Sequence, residues 1–370
     1  MIKKIIILSV CFTAYLAFQR SWLFLASLIV VVLCIYEEVT RSKIQKNHEA
    51  KTVGKLKSRL KSLPYSETDF NKQFLSVMGS QKLRALRFEQ KQNVTSPLIN
   101  YINGLRKTSF VQSHQVSGPK IRLFGGSTID CQEVPDDYTV ASQLQLRINS
   151  SPLLNKFEVI NYGVSGATLN SNFLHFNQID VLKGDICIFF FGANESFSTE
   201  FFKTKRRLSW VPKFKQAFEF SKKHQLITLY RLFEKYIEFD DSSPLIAKKV
   251  QDVEKTFSSI DSLCRSKDAK FIAVLQPILH TRAPLTQFDE ASLYYFPKTR
   301  FNDRLFLFEK FKNALKTQSF FFDGRKIFNQ TNLDVYLDWV HTNYQGNKII
   351  ADYFYSIIQQ QLLKGQVLID

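Results

Sequence analysis

Four short stretches of the chain carry side chains suited to acyl chemistry. Gly125-Gly126-Ser127-Thr128 sets a hydroxyl after two glycines, which permit a tight turn with the hydroxyl at its edge. Asn161-Tyr162-Gly163-Val164-Ser165-Gly166-Ala167-Thr168 carries two glycines able to present a backbone N–H to an oxyanion. Gly192-Ala193-Asn194-Glu195-Ser196 offers an amide donor for a developing negative charge. Asp338-Trp339-Val340-His341 spaces a carboxylate and an imidazole by three residues, so that the Asp can fix the imidazole tautomer and stabilise the imidazolium. Each stretch alone has a plain structural reading. Gly-Gly-Ser is commonly only a turn, glycines allow close packing, Asn commonly caps a helix, and Asp-x-x-His recurs by accident. The first is not the G-x-S-x-G elbow, and the second is not a dinucleotide fingerprint. Together they supply a nucleophile, an oriented base and preorganised donors, the inventory that acyl transfer needs.

The elements around them say how they are positioned. Short apolar runs at 121–124, 157–161, 185–192, 270–277 and 319–323 alternate with helical patterns near 137–149, 168–181, 247–266, 301–316 and 343–363. Apolar strands buried on both faces and separated by helices imply a parallel sheet between two helical layers. Ligands bind at the carboxyl ends of such strands. Three of the four stretches follow a run directly, and the fourth precedes the last helix.

With those blocks in that order, residues 120–363 resemble the SGNH (GDSL-type) hydrolase superfamily, in a membrane-anchored form. The resemblance implies a flavodoxin-like three-layer α/β/α sandwich with a five-stranded parallel sheet. It implies Ser127 as nucleophile, His341 as general base and then acid, and Asp338 as its orienting partner. The N–H groups of Ser127 and Gly166 and the amide of Asn194 would form the oxyanion hole, with no metal or cofactor required. Two positions depart from the commonest family pattern: Gly126 and Glu195 stand where Asp is usual.

Composition and charge bound the rest. At 370 residues, 45% hydrophobic and 22% charged, the chain is neither largely disordered nor linker-dominated. Five scattered cysteines without CxxC spacing suggest neither a disulfide scaffold nor a structural zinc site. Thirty-five phenylalanines promise an aromatic interior or an apolar surface. The net charge is +17, and the residues before Ile121 hold 19 Lys and Arg against 6 Asp and Glu. The excess therefore belongs to the N-terminal third.

That third opens with apolar runs at 5–18 and 22–36, parted by Gln19-Arg20-Ser21. Each is slightly short of the ~20 residues of a full span. A helical hairpin and a single long tilted segment both fit. Lys3 and Lys4 before the first run, and the basic stretch from Arg41 to Lys61 after the second, favour the hairpin and a cytoplasmic domain. The expected organisation is thus residues 1–38 in the membrane, 39–118 as a basic connector, and 119–370 as the hydrolase domain with an insertion at 197–245. The insertion mixes basic and aromatic residues; a lid over the strand ends is one reading, surface helices packing their aromatics against the domain is the favoured one for most of these residues, and the insertion is expected to border the pocket. The same mixture permits single-stranded nucleic-acid binding, but no recognised module accompanies it and no nucleic-acid partner is expected. Cys131 is expected to be a packed or semi-exposed thiol rather than a nucleophile, and His175, His224 and His280 share no metal-ligand spacing.

The function expected from these readings is a membrane-anchored serine esterase acting on an acylated glycan or lipid. An O-acyltransferase using the same site, and a non-catalytic tethered scaffold, are the alternatives.

Overall fold

The computed structural model describes residues 93–196, 202–204, 237–239, 242–295 and 301–366. The expected membrane segment at 1–38, most of the 197–245 insertion and His224 lie outside them. Among the described residues no helix is long and apolar enough to cross a membrane. The chain divides into two compact units, Met1–Pro64 with Thr199–Ser242 and Tyr65–Ser198 with Ser243–Asp370.

In chain order the elements are β1 (Tyr101–Ile102), β2 (Leu105–Arg106), β3 (Lys120–Gly125), α1 (Ser127–Asp130), α2 (Val140–Asn149), β4 (Glu158–Asn161), α3 (Leu169–Phe176), β5 (Ile186–Phe191), β6 (Phe202–Thr204), β7 (Ile237–Phe239), α4 (Pro244–Ser266), β8 (Lys270–Leu275), α5 (Gln287–Tyr295), α6 (Asn302–Leu315), β9 (Phe321–Asp323) and α7 (Tyr344–Gln366). In the first unit β6 and β7 form an antiparallel pair, with Phe202 opposite Phe239.

The sheet of the second unit has seven strands in the order β1-β2-β4-β3-β5-β8-β9. The five expected runs form its parallel part, β4 to β9. The expectation of a five-stranded parallel sheet is corrected by an antiparallel hairpin, β1 and β2, which joins at the β4 edge through Arg106 opposite Asn161. The hairpin comes from residues read as connector. Strands of two residues are too short for a hydrophobic period to show, and backbone pairing alone defines them.

The strand side chains alternate between two cores. Ile121, Leu123, Ile186, Ile188, Phe190, Ile272 and Val274 join Leu144 and Ile148 of α2 and Phe354 and Ile358 of α7. The other face is phenylalanine. Phe124 and Phe189 stack with ring centroids 4.5 Å apart, and Phe176 of α3 and Phe257 of α4 meet Phe189 edge-on. Phe311 of α6 lies against Phe191. Helices therefore cover both faces, and much of the phenylalanine excess is explained by edge and offset contacts that favour aromatic clusters.

The hairpin is locked by charge. Arg106, 2% exposed, pairs through Nε with Asp136 Oδ1 at 2.9 Å and donates from its guanidinium to Val134 O. Asn100 binds the same carboxylate. Replacing Arg106 by Ala leaves Asp136 buried without its cation, so denaturant unfolding of the full chain is expected to show a loss of about 3–5 kcal/mol. A loss below about 1 kcal/mol would contradict this account of the hairpin.

Candidate active site

The site assembles at the carboxyl ends of β3, β4 and β5, with a fourth contribution from the loop before α7. Ser127 follows β3 as the first residue of α1, where a helical N–H has no intrahelical acceptor. The four-residue helix ends at Cys131, which takes the left-handed conformation (φ +52°) and closes its turn on Ser127 O. The side chain of Asn161, at the end of β4, donates to Ile129 O and accepts from Gly163 N–H, tying the glycine loop to the serine turn.

The Asp338–His341 loop is shaped by its own carboxylate. Asp338 Oδ1 accepts the N–H groups of Val340 and His341 at 2.8 and 2.7 Å, which leaves Oδ2 for the imidazole. Leu279 N–H holds Trp339 O from outside, and Arg304 lies 4.1 Å over the Trp339 ring. His341 Nδ1–H donates to Asp338 Oδ2 at 2.6 Å, and Nε2 lies 2.6 Å from Ser127 Oγ, across 214 positions of sequence. The structure thus brings Ser127, His341 and Asp338 into one continuous chain of hydrogen bonds.

The three expected donors stand on neighbouring loops. Gly166 is exposed at φ +83°, a conformation that side chains rarely adopt, while a Cβ there would meet only open space. Its glycine answers a backbone need rather than a packing one. Asn194 Nδ2 donates to Ala167 O at 2.7 Å, and a carboxamide carries two N–H donors, so one is left for a ligand.

Both departures from the family pattern have local causes. A Cβ at Gly126 would run into Asn194 Nδ2, so the Asn194 amide occupies the space that an Asp side chain would begin from. Glu195 reaches two loops at once: Oε1 accepts Leu169 N–H and Oε2 accepts Gly192 N–H, both at 2.6 Å. It joins the loops that bear Gly166 and Asn194. Burial pushes its carboxyl up, against the N–H groups that favour its charge.

One group was not anticipated. Glu133, six residues beyond Ser127, places Oε1 3.7 Å from His341 Nε2. No motif marks it, and only the turn after α1 brings it there. Burial alone would lower His341, but the Asp338 hydrogen bond and the charges of Glu133 and Asp338 raise it to about 9. Burial would raise Asp338, yet its bonds to His341 hold it below the usual carboxylate range. Glu133 itself is pushed up by burial, opposed by the charge of His341.

Other candidates fall away from the site's chemistry. Cys131 is buried, and burial pushes its thiol to about 12. Burial lowers His175 to about 4, and His280 stacks on Phe301 at 4.0 Å. Among the described residues no group of three or more His, Cys, Asp or Glu is placed to hold a metal ion.

No family model matches the chain and no curated protein does. Solved structures similar to its fold include an acetyl xylan esterase, at 15% identity and TM-score 0.38, covering 65% of this chain and 99% of that one. Another is an alpha/beta hydrolase enzyme from the metagenome of Lake Arreo, Spain, at 14% identity and TM-score 0.40, covering 65% and 94%. A third is a member of the lipolytic protein G-D-S-L family from Veillonella parvula, at 13% identity and TM-score 0.36, covering 65% and 99%.

A serine activated by His341 reacts only through the neutral imidazole. With His341 raised to about 9, labelling of Ser127 by a fluorophosphonate should climb about tenfold per pH unit below that value and level off above it. Glu133→Gln removes a charge that favours the imidazolium, so its limb should move to lower pH. A limb centred near 6.5 in the parent protein would contradict the electrostatics described here.

Proposed function

We propose that the protein is a serine ester hydrolase working through Ser127, His341 and Asp338. His341 Nε2 takes the proton from Ser127 Oγ as that oxygen bonds to an ester carbonyl carbon. The carbonyl oxygen gains the negative charge and is met by the N–H groups of Ser127 and Gly166 and the free amide hydrogen of Asn194. When the intermediate collapses, the ester C–O bond breaks and His341 returns the proton to the leaving alcohol. Water then repeats the sequence on the acyl-serine, releasing the acid and regenerating Ser127. Asp338 stabilises the imidazolium throughout, without taking a proton.

The observation that carries this reading is the pair of 2.6 Å contacts through the two nitrogens of His341. A scaffold without catalysis has no need of that chain. Acylated glycans and lipids are the substrate classes we infer, and a hydroxyl compound in place of water would make the same site an acyltransferase.

Short chromogenic acyl esters should be cleaved by the full chain and not by Ser127→Ala or His341→Ala. Asn194→Ala should lower kcat by about 10²–10³. Turnover indifferent to all three changes would overturn the reading. An ester product appearing on addition of an alcohol acceptor would assign the transferase activity instead.

We also infer membrane attachment through residues 1–38 with the domain on the cytoplasmic side, from the two apolar runs and the basic residues flanking them. The full chain should then stay with the membrane fraction after an alkaline carbonate wash, and release into the supernatant would contradict this.

A further inference from the structure

From Thr128 to Asp136 every residue is buried except Glu133. Its neighbours are held on all sides. Asp130 accepts Tyr101 O–H at 2.9 Å and is bound by the Gln132 amide. Arg106 holds Val134 O and Asp136. The turn is therefore rigid and offers one side chain to the mouth of the site, a carboxylate that is 29% exposed. Nothing in the ester cleavage described above requires it.

Its position relative to His341 says what it meets. Nε2 is the nitrogen that hands the proton to the leaving alcohol, whose oxygen must then lie about 2.6–3.2 Å away. Glu133 Oε1 lies 3.7 Å from that same nitrogen, while Asp338 occupies the other one. The carboxylate thus borders the space of the leaving alcohol. A partly buried carboxylate gains most from an O–H donor brought in by a ligand. It repels an anion and has nothing to offer an alkyl chain.

Resting on the esterase reading, we propose that Glu133 is a specificity-determining residue that accepts a hydrogen bond from a hydroxyl next to the ester oxygen. The preferred leaving group is then a polyol or sugar with a free neighbouring hydroxyl, and the glycan branch of the substrate classes is favoured over lipids with anionic headgroups.

The test uses the full chain and three substrates: a methyl pyranoside monoacetate with a free hydroxyl beside the ester, its deoxy analogue lacking that hydroxyl, and an aryl acetate that reports the cleavage machinery. The parent protein should favour the first over the second by about 10–100-fold in kcat/KM, the range of a hydrogen bond to a charged group. Glu133→Ala should erase that ratio, and Glu133→Gln, a neutral acceptor of the same shape, should retain part of it. Equal rates on the two sugars, or a preference that survives Glu133→Ala, would overturn the proposal while leaving the esterase reading intact. Failure of the parent protein to cleave even the aryl acetate would overturn both.

Discussion

His341 is held by an acid on each side, and its contacts dictate much of the surrounding architecture. Asp338 binds Nδ1 and is itself oriented by two backbone N–H groups of its own loop. Ser127 and Glu133 stand on the side of Nε2. Against the opposing effect of burial, the Asp338 hydrogen bond and the charges of Glu133 and Asp338 raise the imidazole to about 9.

Such an arrangement tolerates little movement, and the polar interior supplies the stiffness. The β1–β2 hairpin is four residues of strand. Its contribution is Arg106 and Tyr101, which reach beneath the turn after Ser127 and engage Asp136, Val134 and Asp130. Removing one member of such a buried network leaves its partner uncompensated, which couples the hairpin to the serine turn more tightly than its size suggests. On the opposite side of the serine, Glu195 ties two loops through their N–H groups. The loops that bear Gly166 and Asn194 are thereby tied together by a buried carboxylate.

Gly126 and Glu195 show how two departures from a family pattern serve one site. The bare backbone at 126 admits the Asn194 carboxamide, and the longer acid at 195 spans from the Asn194 loop to the start of α3. Read singly, each substitution leaves the assignment weaker. Side by side in space, they are two parts of one packing solution for the amide donor.

The parallel strands were legible because apolar residues dominate their cores, most fully in β5, whose six residues are all buried, although β4 carries Glu158 and Asn161 and β9 is only half-buried. Ser127, Asp338 and His341 were singled out because the blocks that hold them resemble a known family in type and order, and the structure brings these three together. The hairpin at 101–106 was not legible, since two-residue strands have no period to detect. Glu133 was not, because an acid in a loop has no meaning until a turn aims it. Local pattern determined which elements form and which groups are available. Only the tertiary structure decided that an imidazole 214 positions away would sit between Asp338 and Ser127, and that one further carboxylate would face the same nitrogen. Distances of that kind depend on how the strands stack and the loops close, which no stretch of sequence encodes alone.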